Sequence, residues 1–198
     1  MDQTLLEVTG RRSGSAELEE SEAAALAAHL LQGVDTRLDH SVAVAAQMDR
    51  VAHLVERGWR SASKDAAWLH DIGYSPRIAV DGFHALDGAR WMRDHEWREE
   101  TCRLVAWHTE PLEEARRYGL DGALATEFDR PPPLAAAALV WADLTSSPNG
   151  QRWDAERRLA DILERYPAGS IVHDATLTTL PALRRAVRTI EDLLASAQ

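Results

Sequence analysis

The run Leu134–Leu144 is apolar at every position but one, Asp143. Its length and composition predict a helix from about Leu134 to Thr145 with protein on most sides of it. An ionised carboxylate in such a helix costs free energy unless a cation or hydrogen-bond donors meet it. The chain must therefore fold so that other segments bring a counter-charge to Asp143. A metal ion would serve; an arginine is the plainer alternative.

The other segments also read as helices. From Ser21, a candidate cap, Ala24, Leu26, Ala27, Leu30 and Leu31 recur at helical spacing until Gly33. A second helix is predicted from about Asp39 to Arg57, stopped by Gly58. A short third runs from Ser63 to Ile72, with Ser61 or Ser63 as its cap and Gly73 as its stop. Residues 74–82 read as a loop, and helical segments follow at about 84–95, 97–108 and 111–118. Residues 119–133 read as a long connection ending in Pro131, Pro132 and Pro133. After the apolar helix, Pro148, Asn149 and Gly150 make a turn, and helices over 151–166 and 175–196 finish the chain. No alternating pattern marks a strand, and no glycine-rich phosphate loop follows one. The expectation is a single all-α domain over 21–198, behind a mobile N-terminal arm over 1–20 in which Gly10–Ser15 are polar and turn-rich.

Composition narrows the chemistry. A chain of 198 residues that is 45% apolar can bury one sizeable core. Asp and Glu total 32 against 22 Lys and Arg, a net charge of −10, which disfavours bulk nucleic acid and anionic membranes as partners. A small phosphate ligand stays compatible if a local cation reverses the field. The single cysteine, Cys102, excludes a disulfide framework and a cysteine-based zinc site. With no apolar run long enough to span a bilayer and no signal-peptide pattern at the acidic N-terminus, a cytoplasmic location is expected.

A second acid sits in apolar company. The run Ala66–Gly73 carries the pair His70 and Asp71 at a buried-looking helix end. Neighbours on a helix point about 100° apart, so both can reach a single point only if it lies between them. A metal ion, about 2 Å from each ligand atom, is such a point. The two oxygens of Asp71 could also serve two ions.

With His40 upstream and Asp143 downstream, the order His…His-Asp…Asp resembles the HD-domain superfamily of metal-dependent phosphohydrolases. His70-Asp71-Ile72-Gly73 is similar to the commonest form of its signature. His84-Ala85-Leu86-Asp87-Gly88-Ala89 resembles the His-x-x-x-Gly-Ala segment of its two-metal members, and Trp107-His108-Thr109 their next histidine segment. Trp141-Ala142-Asp143 resembles the helix that gives the last aspartate. The resemblance covers about residues 38–146. It implies a helical bundle with a central metal site, in which His40, His70, Asp71 and Asp143 hold one ion and Asp71 bridges to a second held by His84 and His108. One or two divalent ions per chain are implied, and imidazole with carboxylate suits Fe, Mn, Co or Zn.

The resemblance further implies hydrolysis of a phosphate ester or anhydride in a nucleotide or small metabolite, by a metal-activated water. A nucleotide-like phosphorylated substrate is the expected partner, and the oligomeric state stays open. Where many members have Lys after the signature, this chain has Tyr74, so Arg77 or Arg90 is the expected phosphate contact beside Asp71. Two other functions fit the same ligands: a mixed-valent di-iron oxygenase, and a non-catalytic metal-stabilised domain that senses a nucleotide.

The remaining candidates read as structural. His29, His53, His95 and His173 have no such context, and Asp174 reads as a helix cap. Glu110 reads as a solvated acid or a proton carrier, and Thr145, Ser146 and Asn149 as turn residues that could line a pocket mouth. Cys102 reads as an inert packed thiol. Trp68, Trp107 and Trp141 read mainly as core.

Overall fold

The computed structural model describes residues 21–196; the predicted arm over 1–20 lies outside the described residues. Ten helices make up the described chain: α1 (Glu22–Leu31), α2 (Arg37–Val51), α3 (Arg60–Leu69), α4 (His84–Asp94), α5 (Glu99–Ala106), α6 (Leu112–Tyr118), α7 (Asp121–Glu127), α8 (Pro133–Leu144), α9 (Ala155–Arg165) and α10 (Ile171–Ser196). No strand occurs among the described residues; one isolated bridge joins Ser146 and Arg152. The fold is all-α, as the sequence predicts. No described helix is long and apolar enough to cross a membrane.

Local chemistry sets the helix ends. The Ser21 hydroxyl accepts the Ala24 amide at 3.1 Å and starts α1. Asp154 accepts the Arg157 amide at 2.8 Å and starts α9, so this helix begins later than the 151 expected. Helix α10 begins earlier than the 175 expected. Ser170 accepts the His173 amide and Asp174 reaches back to the Gly169 amide, so the two share the capping that Asp174 alone was expected to supply. Helix α2 ends at Val51, not Arg57, and continues as a single 3-10 turn at Ala52–Leu54. The Arg60 guanidinium caps the freed carbonyls of His53 and Val55. The expected connection at 119–133 contains α7. Its signal is Leu120, Leu124 and Phe128 at intervals of four, with Leu124 and Phe128 fully buried.

Helix α8 runs through the centre. Ala135, Ala138, Ala142 and Leu144 are fully buried there, and α2, α3 and α10 pack around it. Helix α3 also touches α1, α2 and α5, so the His70–Asp71 step at its end opens into the middle of the bundle. Helices α9 and α10 pack on each other and on α8.

Candidate metal centre

Five elements deliver six side chains to one place. His40 comes from α2, and His70 and Asp71 from the end of α3 and the 3-10 turn after it (Ile72–Tyr74). His84 is the first residue of α4, His108 follows α5, and Asp143 lies near the end of α8. They form two groups: His40, His70 and Asp143 in one, Asp71, His84 and His108 in the other. Within each group the ligand atoms lie within 4.8 Å of one another. The adjacent residues His70 and Asp71 are thus divided between the groups. Asp71 also spans them: its Oδ2 is 3.6 Å from His70 Nε2 and its Oδ1 is 3.8 Å from His84 Nε2.

The surrounding backbone fixes which ring nitrogen faces inward. Nδ1 of His40 donates to the Ser147 carbonyl (3.2 Å), that of His70 to Ala67 (3.0 Å) and that of His108 to Val105 (2.6 Å). A carbonyl can only accept, so in each ring Nδ1 carries the proton and Nε2 turns its lone pair to the centre. His70 Nε2 is buried with no partner among the described residues. His40 Nε2 lies 3.0 Å from Asp143 Oδ1, so a proton or a metal ion lies between the nitrogen and the carboxylate. His84 Nε2 and His108 Nε2 meet at 3.1 Å. This donor set fits divalent metal ions.

Electrostatics match. Burial pushes His70 down to about 4, against the pull of Asp71 and Asp143. Burial, with His108 beside it, also holds His84 well below the usual imidazole range. Both rings are therefore neutral near pH 7, the form that binds a metal. Burial alone would raise Asp71, but Arg37, His70, His40 and His84 outweigh it and hold the carboxyl well below the usual range. Asp143 is likewise lowered despite burial, by His40, His70 and Arg158.

Four neighbours position these groups. Arg37 Nη1 donates to Asp71 Oδ2 at 2.8 Å. Its guanidinium lies 3.8 Å over the Tyr74 ring, and Tyr74 stacks on His84 at 4.0 Å. Thr109 donates to Asp143 Oδ2 at 2.6 Å from a left-handed backbone (φ 54°), which Glu110 shares (φ 55°). For a β-branched residue this is strained. The buried carboxylate of Asp87 accepts the amides of Val80, Asp81 and Gly82, which fixes the loop that leads into His84.

The glycines of the two signature segments have a steric reason. A Cβ on Gly73 would overlap the His84 carbonyl, and one on Gly88 would come within 3.2 Å of the Gly73 amide. Close approach of the 3-10 turn to α4 is what brings Asp71 beside His84.

Over the centre lies a cavity of about 110 Å³. His40, Asp71, His84, His108 and Asp143 line its floor together with Arg37. Glu110 and Glu114 line one wall; Arg158, Arg165 and Tyr166 another, with Thr176 and Thr179 of α10. Burial and the charge of Asp71, against Arg37, push the Glu114 carboxyl up to about 7.

The two arginines expected at the phosphate lie elsewhere. Arg77 is exposed and contacts His29 Nε2 at 2.7 Å, and Arg90 forks onto Glu127 and pairs with Asp81. Neither lines the cavity, because each is held by a nearer partner; Arg37 is the guanidinium at the floor. Arg37 and Arg158 carried no local signal, being ordinary surface-type residues of amphipathic helices in the sequence. Thr145, Ser146 and Asn149 do not line the cavity; the Ser147 carbonyl contacts the site instead. His53 is exposed, His95 bonds the Trp91 carbonyl and His173 sits beside Asp174, all outside the two groups. Cys102 is buried, its thiol pushed up to about 12 by burial.

Fold and site together define an all-helical protein with a buried histidine–aspartate centre positioned to hold metal. A model of the HD domain matches residues 37–147, more than half of the chain, and the chain belongs to the HD-domain family. Neither a curated protein nor a solved structure matches it. HD domains bind divalent metals and are generally metal-dependent hydrolases.

Proposed function

We propose that this protein is a metal-dependent phosphohydrolase acting on a phosphate ester or anhydride of a small metabolite or nucleotide. His40, His70 and Asp143 would hold one ion, His84 and His108 a second, with Asp71 between them. The observation that carries this reading is the division of His70 and Asp71 between two ligand groups on one cavity floor, with Arg37 beside them. Ions bound there would lower the pKa of a water and neutralise phosphate oxygens.

The chain's own residues do the rest. Asp71 stays ionised because the Arg37 guanidinium lies against it, which keeps two anionic oxygens on the floor. Arg37 spends one N–H on Asp71, and its remaining donors suit a phosphoryl oxygen. Tyr74 stacks on His84 and keeps its ring from turning away. Thr109 orients Asp143 in the same way. Glu114, on the cavity wall, can hold a proton near neutrality for a leaving oxygen.

The test is metal analysis of freshly isolated protein, joined to a phosphate-release screen on the manganese-loaded, oxygen-free sample. Bound transition metal with phosphate release is expected. Turnover that requires dioxygen would overturn the reading in favour of an oxygenase, and tight metal without turnover in favour of a binding domain.

A further inference from the structure

Helix α9 lies beyond the residues matched by the family model, yet it forms one wall of the cavity. Arg158 and Arg165 line that wall, and Asp161, which does not, lies between them in sequence at helical intervals. Asp161 takes Arg158 Nη1 at 2.8 Å and Arg165 Nη2 at 2.8 Å, so a single carboxylate serves two guanidiniums. Arg158 is buried, its side chain only 9% exposed, and its Nε has no hydrogen-bond partner among the described residues. A buried guanidinium with donors to spare is costly unless an acceptor arrives. Both arginines line the same cavity as the ligand groups and Arg37.

Resting on the phosphohydrolase reading, in which the floor and Arg37 take the reacting phosphoryl group, we propose that Arg158 and Arg165 form a second anion subsite. It selects phosphate esters that carry a further anionic group, a phosphorylated carboxylic acid being the simplest class. Glu110, which also lines the cavity, repels that group and favours its placement toward α9.

The experiment measures binding of inert phosphonates to the full chain loaded with manganese, by calorimetry. Phosphonoacetate has the second anion, ethylphosphonate a neutral tail of similar size, and aminomethylphosphonate a cationic one. Phosphonoacetate should bind about tenfold or more tighter than ethylphosphonate, the worth of one charge-assisted hydrogen bond. That ratio should collapse in Arg165→Gln and in Arg158→Lys, which keeps the buried stem, and persist in Arg188→Gln on the exposed side of α10. Equal binding of the three, no binding of any, preference for the amine, or an equal loss for all ligands in the Arg165 and Arg158 variants would each overturn the proposal. The phosphohydrolase reading fails separately, by absence of phosphate release from every ester tested while phosphonoacetate still binds.

Discussion

Arg37 and Asp71 form a 2.8 Å ion pair at the floor of the cavity, with the carboxylate only 4% exposed. The pair links the start of α2 to the end of α3, and it occupies one of the two oxygens a metal would use. Removing the arginine leaves a buried anion without its nearest cation. Arg37→Ala should destabilise the metal-free protein by about 3–5 kcal/mol, the typical cost of breaking a buried pair. Metal should restore much of that loss, since it supplies the missing charge. Urea unfolding with and without manganese measures both; an equal loss in the two states would argue against metal beside Asp71.

The two ligand groups separate by mutation. His84→Ala removes a ligand from one group only, so metal per chain should fall from about two to about one if both groups bind. Asp71→Ala touches the space between them, and should lower metal content further and reduce phosphate release by about a thousandfold or more. Elemental analysis of each variant, paired with circular dichroism to show that the helices persist, gives the comparison.

Gly73→Ala tests the steric basis of the signature. The added methyl has only the His84 backbone to displace, so α4 must move away from the 3-10 turn. A loss of about 3 kcal/mol or more is expected, together with weaker metal retention because Asp71 and His84 part. Gly33→Ala at the end of α1 should behave differently. A Cβ there meets open space, so only the left-handed backbone (φ 79°) is strained and the metal is retained.

Acid should weaken the metal-free protein. His70 titrates near 4 when folded and near 6.5 when unfolded, and His84 is displaced in the same direction. Between these values the unfolded chain binds more protons, so stability falls as pH is lowered from about 6.5 toward 4. Glu114 acts with the opposite sign: raised from 4.5 to about 7, it favours the folded state at lower pH and offsets part of the slope. Urea midpoints across this range should therefore drop more steeply with acid in Glu114→Gln than in the unsubstituted chain. An equal or shallower slope in that variant would contradict the assigned burial of Glu114.

Much of the molecule is legible in one dimension. Helical periodicity along α1, α4, α5 and α8 is a local property and predicts those elements closely. The six candidate ligands announce themselves through local conflicts, such as an acid in the apolar run of α8 and a charged pair at the end of α3. The weaker period of α7, three residues at intervals of four inside a polar stretch, is easily read as a connection.

Guanidinium partners are another matter. Arg37, Arg77, Arg90 and Arg158 look alike in sequence, and Coulomb attraction falls off with distances that only folding sets. Sequence alone determined the helical class and the family, and it singled out the six candidate ligands. Tertiary structure decided that His70 and Asp71 serve different groups, that Arg37 rather than Arg77 or Arg90 meets Asp71, and that α9 walls the cavity. The physical reason is that periodicity and burial conflicts are written in neighbouring residues. Charge pairing depends instead on which of several equivalent side chains the packing of distant helices brings within a few ångströms.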